Sequence, residues 1–302
     1  MARALDGLPA SSAHASARGA AARSLSGTGI SSTGQKVRRG EFFAGLFILG
    51  FANGIFEKIP SSIAQETFFG ALSDTFGISI LVWAASFLAV GLLLRLPDGP
   101  VTRSDALAGA AAAAAALLPS TYASFIALTG LGLYLRHTSA PGSPGRRAAL
   151  VILALTVPLF WSRLVFALLS DPILEADAIL VSALTGTARA GNTLAFAGGE
   201  GYLYIGPPCS SLANLSLAVL GWALFTQALA RPPALRDYLW CALSCAAVAG
   251  INVTRIALIA LYPAHFEMLH TGAGASVAGF LTLAAIIGIN WIRVRGERLA
   301  RP

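Results

Sequence analysis

Apolar runs long enough to cross a lipid bilayer recur along the chain and leave little choice of fold. A transmembrane helix needs roughly 20 predominantly apolar residues, and continuous runs favour helices over the alternating pattern of membrane barrels. The runs are Phe42–Phe56, Phe76–Leu96, Ala148–Leu169, Ser210–Leu229, Tyr238–Leu261 and Ala273–Trp291. They predict an all-α fold, a polytopic integral membrane helix bundle embedded in the lipid bilayer.

The distribution of charge supports a membrane protein and argues against a nucleic-acid partner. Charged residues make up 12% of the chain, against about 25% in soluble domains. The formal charge of +7 comes from Lys and Arg that stand mostly in short loops and at the two ends. That placement is typical of membrane topology rather than of a nucleic-acid groove. No Cys and His spacing typical of a zinc site occurs, so neither a metal nor a cofactor is predicted.

Basic loops also decide the number of spans. Ser104–Leu135 reads either as one long helix or as two short ones that meet at Pro119. Each half offers about 15 residues, roughly 22 Å of helix, against a bilayer core of about 30 Å. The two-helix hairpin places every basic cluster on the cytoplasmic side, whereas the single span places two outside. We therefore predict about eight transmembrane helices with both termini in the cytoplasm.

The chain divides into three predicted regions. Residues 1–40 are rich in Ala, Ser, Gly and Arg and form a disordered basic cytoplasmic tail; an organelle transit peptide is the less favoured reading. Residues 41–147 hold the N-terminal transmembrane helices. Residues 148–302 hold the remaining spans, with an extracytoplasmic insertion over residues 170–208.

The insertion carries a predicted helix and a predicted hairpin. Asp171-Pro172 should break the preceding helix, and Ile173–Leu184 then reads as a short amphipathic helix. Thr193–Phe196 and Tyr202–Ile205 flank a Gly-rich turn and predict an antiparallel pair of strands. This insertion leads directly into the sixth apolar run.

Three polar residues come to one depth in the predicted topology. Cys209 begins the sixth span, His270 precedes the eighth, and Arg255 lies about two turns before the outer end of the seventh. A thiol attacks acyl groups as its thiolate and needs a neighbouring base or cation. A histidine supplies the base, and an arginine stabilises an oxyanion. The pattern predicts a catalytic cysteine site with Cys209, Arg255 and His270.

Two further residues are predicted to support this site. Asn252 stands three residues before Arg255, on the same face of the helix, and is expected to hold the guanidinium in place. Glu267 stands three residues before His270 and would orient its ring if the stretch is helical; otherwise it is a solvated acid. His265 competes with His270 for the role of the base, and the sequence leaves that choice open.

Four elements follow one another in the second half of the sequence: the Gly191-Asn-Thr193 to Ile205 hairpin, Cys209-Ser-Ser-Leu212, Asn252-Val-Thr-Arg255 and His270-Thr-Gly272. With these elements the sequence resembles the exosortase/archaeosortase family over roughly Ala148 to Trp291, about half of the chain. In the second element the family usually has Gly at the position that Ser211 takes here.

The resemblance implies an integral membrane thiol transpeptidase or protease of the inner membrane, with its active site facing the periplasm. Members of the family cleave C-terminal sorting signals of exported proteins, often Pro-Glu-Pro followed by an apolar helix and basic residues. By position, Cys209 matches the nucleophile, Arg255 the stabilising arginine and His270 the third catalytic residue. The implied partners are protein substrates with such signals and an exopolysaccharide or lipid acceptor.

The alternative function is a membrane transporter or an exopolysaccharide export component. In such a protein, Arg255 would bind an anionic solute and Cys209 would be incidental. Inverted repeats with broken helices would favour that class, and no convincing internal repeat is visible in the sequence.

Overall fold

The computed structural model describes residues 37–65, 68–229 and 234–299. The predicted cytoplasmic tail lies outside these ranges except for its last four residues, and the first described helix already begins at Arg39. The helices of the described ranges are α1 (Arg39–Ile55), α2 (Lys58–Gln65), α3 (Phe68–Ser73), α4 (Ile80–Leu93), α5 (Arg103–Ala116), α6 (Thr121–Thr138), α7 (Pro144–Thr156), α8 (Ser162–Thr185), α9 (Leu212–Ala228), α10 (Leu235–Leu261), α11 (Phe266–His270) and α12 (Ala273–Leu299).

The described chain is an all-α fold with several helices suited to a membrane. Four stretches are long and apolar enough to cross a bilayer: Pro144–Thr185, Pro207–Ala228, Leu235–Leu261 and Ala273–Gly296. Helices α1 and α2 form a fifth candidate if the pair, bent by 42°, counts as one span. The membrane character follows from these helices, whereas eight spans and their orientation stay predictions.

The ambiguous stretch Ser104–Leu135 forms two helices, α5 and α6, that pack against each other. Ser120 caps α6, because its side chain accepts a hydrogen bond from the backbone N–H of Ala123 at 3.4 Å. Thr102 caps α5 in the same way through Asp105. Both helices therefore have their own start signal, which a single continuous helix would not need.

The predicted break near Asp171-Pro172 is present as a kink two residues earlier. Two helical segments of α8 meet at Leu169, which has φ −131° and ψ 31°, so Pro172 lies in the first turn of the second segment. Proline disrupts the hydrogen bond to the fourth residue before it, and the kink at Leu169 relieves that conflict. The predicted helix Ile173–Leu184 is thus the second half of α8, and the first half follows a π-turn at Val157–Trp161.

The predicted hairpin is confirmed, within a small three-stranded sheet. Strands β2 (Thr193–Ala195) and β3 (Tyr202–Tyr204) pair antiparallel with Leu194 opposite Leu203, and both of these side chains are buried. A further two-residue strand, β1 (Arg189–Ala190), pairs with β2 on its other side.

Two apolar cores hold the helices together. The larger one unites side chains of α1, α4, α6 and α7 with others from α9, α10 and α12. The smaller one lies between α8, the sheet and α10, and Cys209 belongs to it. The catalytic candidates therefore sit at a second core, where the sheet is packed against the helices.

Candidate active site

A pinned loop delivers Cys209 to its position. The last strand ends at Tyr204, and the next residue, Ile205, is held by Asn192. The Ile205 carbonyl accepts from the Asn192 side-chain amide at 3.0 Å, and the Ile205 N–H donates to the Asn192 carbonyl at 3.0 Å. A 3₁₀ turn over Pro207–Cys209 follows, closed by a 3.0 Å bond from the Cys209 N–H to the Gly206 carbonyl. Proline fixes φ, so this short connection has few other conformations. Cys209 is consequently held just before α9 begins.

The thiol of Cys209 lies beside the imidazole of His270. The distance from Sγ to Nε2 is 3.5 Å, within hydrogen-bonding reach for sulfur. Cys209 is buried, with 6% of its surface exposed, and His270 is half-buried. The ring of His270 stacks on that of Phe266 with centroids 4.9 Å apart and an interplanar angle of 17°. Phe266, one helical turn earlier on α11, thus fixes the plane of the imidazole.

Asn252 joins the elements of the site. Its amide nitrogen donates to the Cys209 carbonyl at 2.7 Å and to the Ser211 hydroxyl at 3.0 Å. Its amide oxygen accepts from Nη2 of Arg255 at 3.3 Å. The expected contact with Arg255 is therefore present, and the same side chain also ties the cysteine loop to α10.

Arg255 reaches the histidine from the other side. Its Nη1 donates to the backbone carbonyl of His270 at 3.4 Å. A guanidinium carries five N–H donors, and within the described ranges only two of its nitrogens have acceptors, both at long distances. The remaining N–H groups have no acceptor among the described residues and are available to a bound anion.

Asp177 is a residue of the site that the sequence analysis did not single out. It lies on α8 with 4% of its surface exposed, and its carboxylate accepts the backbone N–H of Ser211 at 2.9 Å. A buried acid requires such a partner. In the sequence, Asp177 looks like one more polar residue of an amphipathic helix, so only the packing of α8 against the cysteine loop reveals its role.

The backbone at position 211 accommodates serine as readily as glycine. Ser211 has φ −67° and ψ −19°, ordinary right-handed values that any residue adopts. Its hydroxyl accepts from Asn252, so the side chain that glycine lacks is used here.

Two residues that the sequence predicted near the thiol, His265 and Glu267, make no hydrogen bond with it. His265 is exposed, in the 3₁₀ turn Pro263–His265, and makes no side-chain hydrogen bond within the described residues. Glu267 is exposed and accepts a hydrogen bond from the Thr271 hydroxyl at 3.2 Å instead of contacting the His270 ring. The structure thus places His270 beside the cysteine, and stacking rather than a carboxylate orients its ring.

An apolar groove leads to the site between α10 and α12. Its volume is about 460 Å³, and Arg255 stands among its lining residues with Leu258, Leu269 and Val277. Gly250 leaves part of its wall open, because a Cβ there would meet no atom within 4 Å. An extended or helical apolar segment lying in this groove would approach the guanidinium directly.

The other two cysteines and the acidic residues form no second centre. Cys241 and Cys245 are free thiols of α10, half-buried and one turn apart. In residues 37–65, 68–229 and 234–299, no three His, Cys, Asp or Glu side chains are close enough to hold one metal ion.

Comparison with known proteins returns no neighbour. No protein-family model, no curated protein and no solved structure matches the chain.

Proposed function

We propose that this protein is a membrane cysteine transpeptidase or protease of the exosortase kind, which cleaves C-terminal sorting signals at the periplasmic face of the inner membrane. The observation that carries the proposal is the 3.5 Å approach of the Cys209 thiol to His270 Nε2. A nucleophile and a base within this distance, with a cation beside them, are the parts that acyl transfer requires.

In the first half of the reaction His270 acts as base. Its Nε2 takes the thiol proton, and Sγ of Cys209 forms a bond to the carbonyl carbon of the scissile peptide. The electron pair of the carbonyl moves to its oxygen. When this intermediate collapses, the C–N bond breaks, and the leaving amine takes the proton from His270. A thioester on Cys209 remains.

In the second half an acceptor replaces the sulfur. An amine, a hydroxyl or water gives its proton to His270 and attacks the thioester carbonyl. The C–S bond breaks, and the sulfur recovers the proton. The low exposure of Cys209 limits access of bulk water and so favours a bound acceptor over hydrolysis.

Arg255 is assigned to the charge that develops on the carbonyl oxygen. Its guanidinium bonds to the backbone of His270 and to Asn252, which in turn donates to the Cys209 carbonyl, and its half-buried position strengthens an interaction with an anionic oxygen. Loss of one such donor in other enzymes slows catalysis by about 10²–10³-fold. The groove between α10 and α12 offers the apolar helix of a sorting signal a place that keeps its scissile end near Arg255.

The test is processing of an exported reporter that ends in Pro-Glu-Pro, an apolar helix and an Arg cluster. We expect cells with the parent protein to shorten the reporter and to accumulate a hydroxylamine-sensitive adduct between enzyme and reporter. Cys209→Ala should abolish both signals. Cys241→Ala is the matched control and should leave both unchanged, because Cys241 lies outside the site.

Equal processing by Cys209→Ala and the parent would reject the proposal. Uptake of an anionic solute that persists in Cys209→Ala and is lost in Arg255→Ala would instead favour the transporter. A second measurement does not depend on the sorting motif: alkylation of Cys209 by iodoacetamide near pH 7 should be slower in His270→Ala than in the parent.

A further inference from the structure

A large apolar groove of the described protein shares no lining residue with the cysteine site. It is a groove of about 800 Å³ between α1 and α4, and aromatic side chains such as Phe47, Phe51 and Phe87 line it. Its few polar atoms are already engaged. The Ser86 hydroxyl donates to the Val82 carbonyl, and the Trp83 indole donates to the Thr75 carbonyl. The groove therefore suits an apolar chain and has no polar group to offer.

A small polar cavity lies next to this groove, at the elbow between α1 and α2. Its volume is about 60 Å³, and its lining includes the side chains of Lys58, Arg163 and Thr121. Ile55, the last residue of α1, lines both cavities. The apolar groove and the polar cavity are thus two neighbouring parts of one surface at the elbow.

The two cations of the polar cavity have no anionic partner within the described ranges. Neither Lys58 nor Arg163 makes an ion pair or a side-chain hydrogen bond there, and their positive charges act on each other. Glu57 also lines the cavity, but its exposed carboxylate pairs with neither of them. Like charges held together without a counter-ion are unfavourable, and a bound anion would relieve their repulsion.

We propose that the elbow between α1 and α2 binds an anionic phospholipid, with the phosphate on Lys58 and Arg163 and an acyl chain in the α1–α4 groove. The charge of the small cavity selects the headgroup, and the apolar walls of the large one hold the chain. Basic pockets between membrane helices recognise anionic headgroups by this means. The site shares no residue with the cysteine site, so either proposal stands or fails without the other.

The experiment counts lipids on the purified full-length protein. The protein in a neutral detergent is incubated with phosphatidylglycerol or with phosphatidylcholine of the same acyl chains, and native mass spectrometry measures what is retained. The parent should retain phosphatidylglycerol in preference to phosphatidylcholine. Each of Lys58→Gln and Arg163→Gln should weaken that retention about fivefold. Arg103→Gln, which removes an exposed cation elsewhere, is the matched control and should not.

A second pair of variants tests the groove. A Cβ at Gly91 would meet no atom within 4 Å, and this residue lines the groove. Gly91→Phe should therefore fold normally and fill the groove, which lowers the retention of both lipids. Gly45→Phe places the same side chain at an equally open position outside the groove and should change nothing.

Three results would overturn the proposal. Equal retention of the two lipids by the parent would remove the headgroup preference. An equal loss in Arg103→Gln would assign that preference to surface charge in general. Unchanged phosphatidylglycerol retention in Gly91→Phe, together with displacement of the lipid by inorganic phosphate, would reduce the site to an anion site without a lipid chain.

Discussion

Replacement of Asn252 by leucine tests whether this amide organises the cysteine site. The substitution keeps a side chain of similar size on α10 but removes three hydrogen bonds, to the Cys209 carbonyl, the Ser211 hydroxyl and Arg255. Since Asn252 and Cys209 are both buried, water does not readily replace the lost partner. The Cys209 carbonyl in particular is left without a donor.

Two estimates of the cost agree. Hydrogen bonds between membrane helices average about 0.6 kcal/mol each, so three of them amount to about 2 kcal/mol. A single buried polar group left unsatisfied costs about 1–3 kcal/mol, which is the same range. At about 2–4 °C per kcal/mol for a chain of this size, the melting temperature of Asn252→Leu should fall by about 4–8 °C.

The assay is thermal unfolding in detergent, followed by tryptophan fluorescence. Asn214→Leu is the matched control, because Asn214 is half-buried on α9 and makes no side-chain hydrogen bond within the described residues. Its free energy of unfolding should change by no more than about 0.5 kcal/mol. If the two variants melt at the same temperature, Asn252 does not stabilise the site as argued here, and the bonding scheme is refuted.

Three further predictions concern single interactions. His270→Ala should slow alkylation of the Cys209 thiol near neutral pH, whereas His265→Ala should not. Equal effects of the two variants would show that His270 is not the histidine that acts on the thiol. Asp177→Leu should lower the free energy of unfolding by about 1–3 kcal/mol, because the buried backbone N–H of Ser211 loses its acceptor. Asp177→Asn should recover most of the loss, since its amide oxygen still accepts. If Asp177→Asn is as unstable as Asp177→Leu in thermal unfolding, the contact is not the cause. Burial alone would raise the pKa of Asp105, in the first turn of α5 and outside the candidate spans, but hydrogen bonds, the one from Arg39 foremost, hold that pKa below its usual range. A depressed pKa gives stability that is complete above the ordinary carboxyl pKa of about 3.9 and is lost as pH falls below it. The parent should therefore lose more stability between pH 5 and about 3 than Asp105→Asn does. Identical slopes of melting temperature against pH in the two proteins would contradict this prediction.

Much of the fold could be predicted from local patterns. The helices of the apolar runs and the β2–β3 hairpin follow from signals within a few residues of each other. The two-helix division of Ser104–Leu135 was predicted instead from the distribution of basic loops along the chain. The break predicted at Asp171-Pro172 lies two residues earlier, at Leu169. In the structure, Pro172 is accommodated by the kink at Leu169, and packing of α8 against the sheet and α10 holds the helix together.

The candidate site divides in the same way. The position of Cys209 at the start of an apolar run and the common helix face of Asn252 and Arg255 could be predicted, because both depend on spacing along one element. The packing of the helices was needed to show three contacts: His270 rather than His265 meets the thiol, Phe266 rather than Glu267 orients its ring, and Asp177 holds the loop. These contacts join elements up to 61 residues apart, and a side chain's distance to a partner that remote is set by how helices pack, which no local pattern encodes.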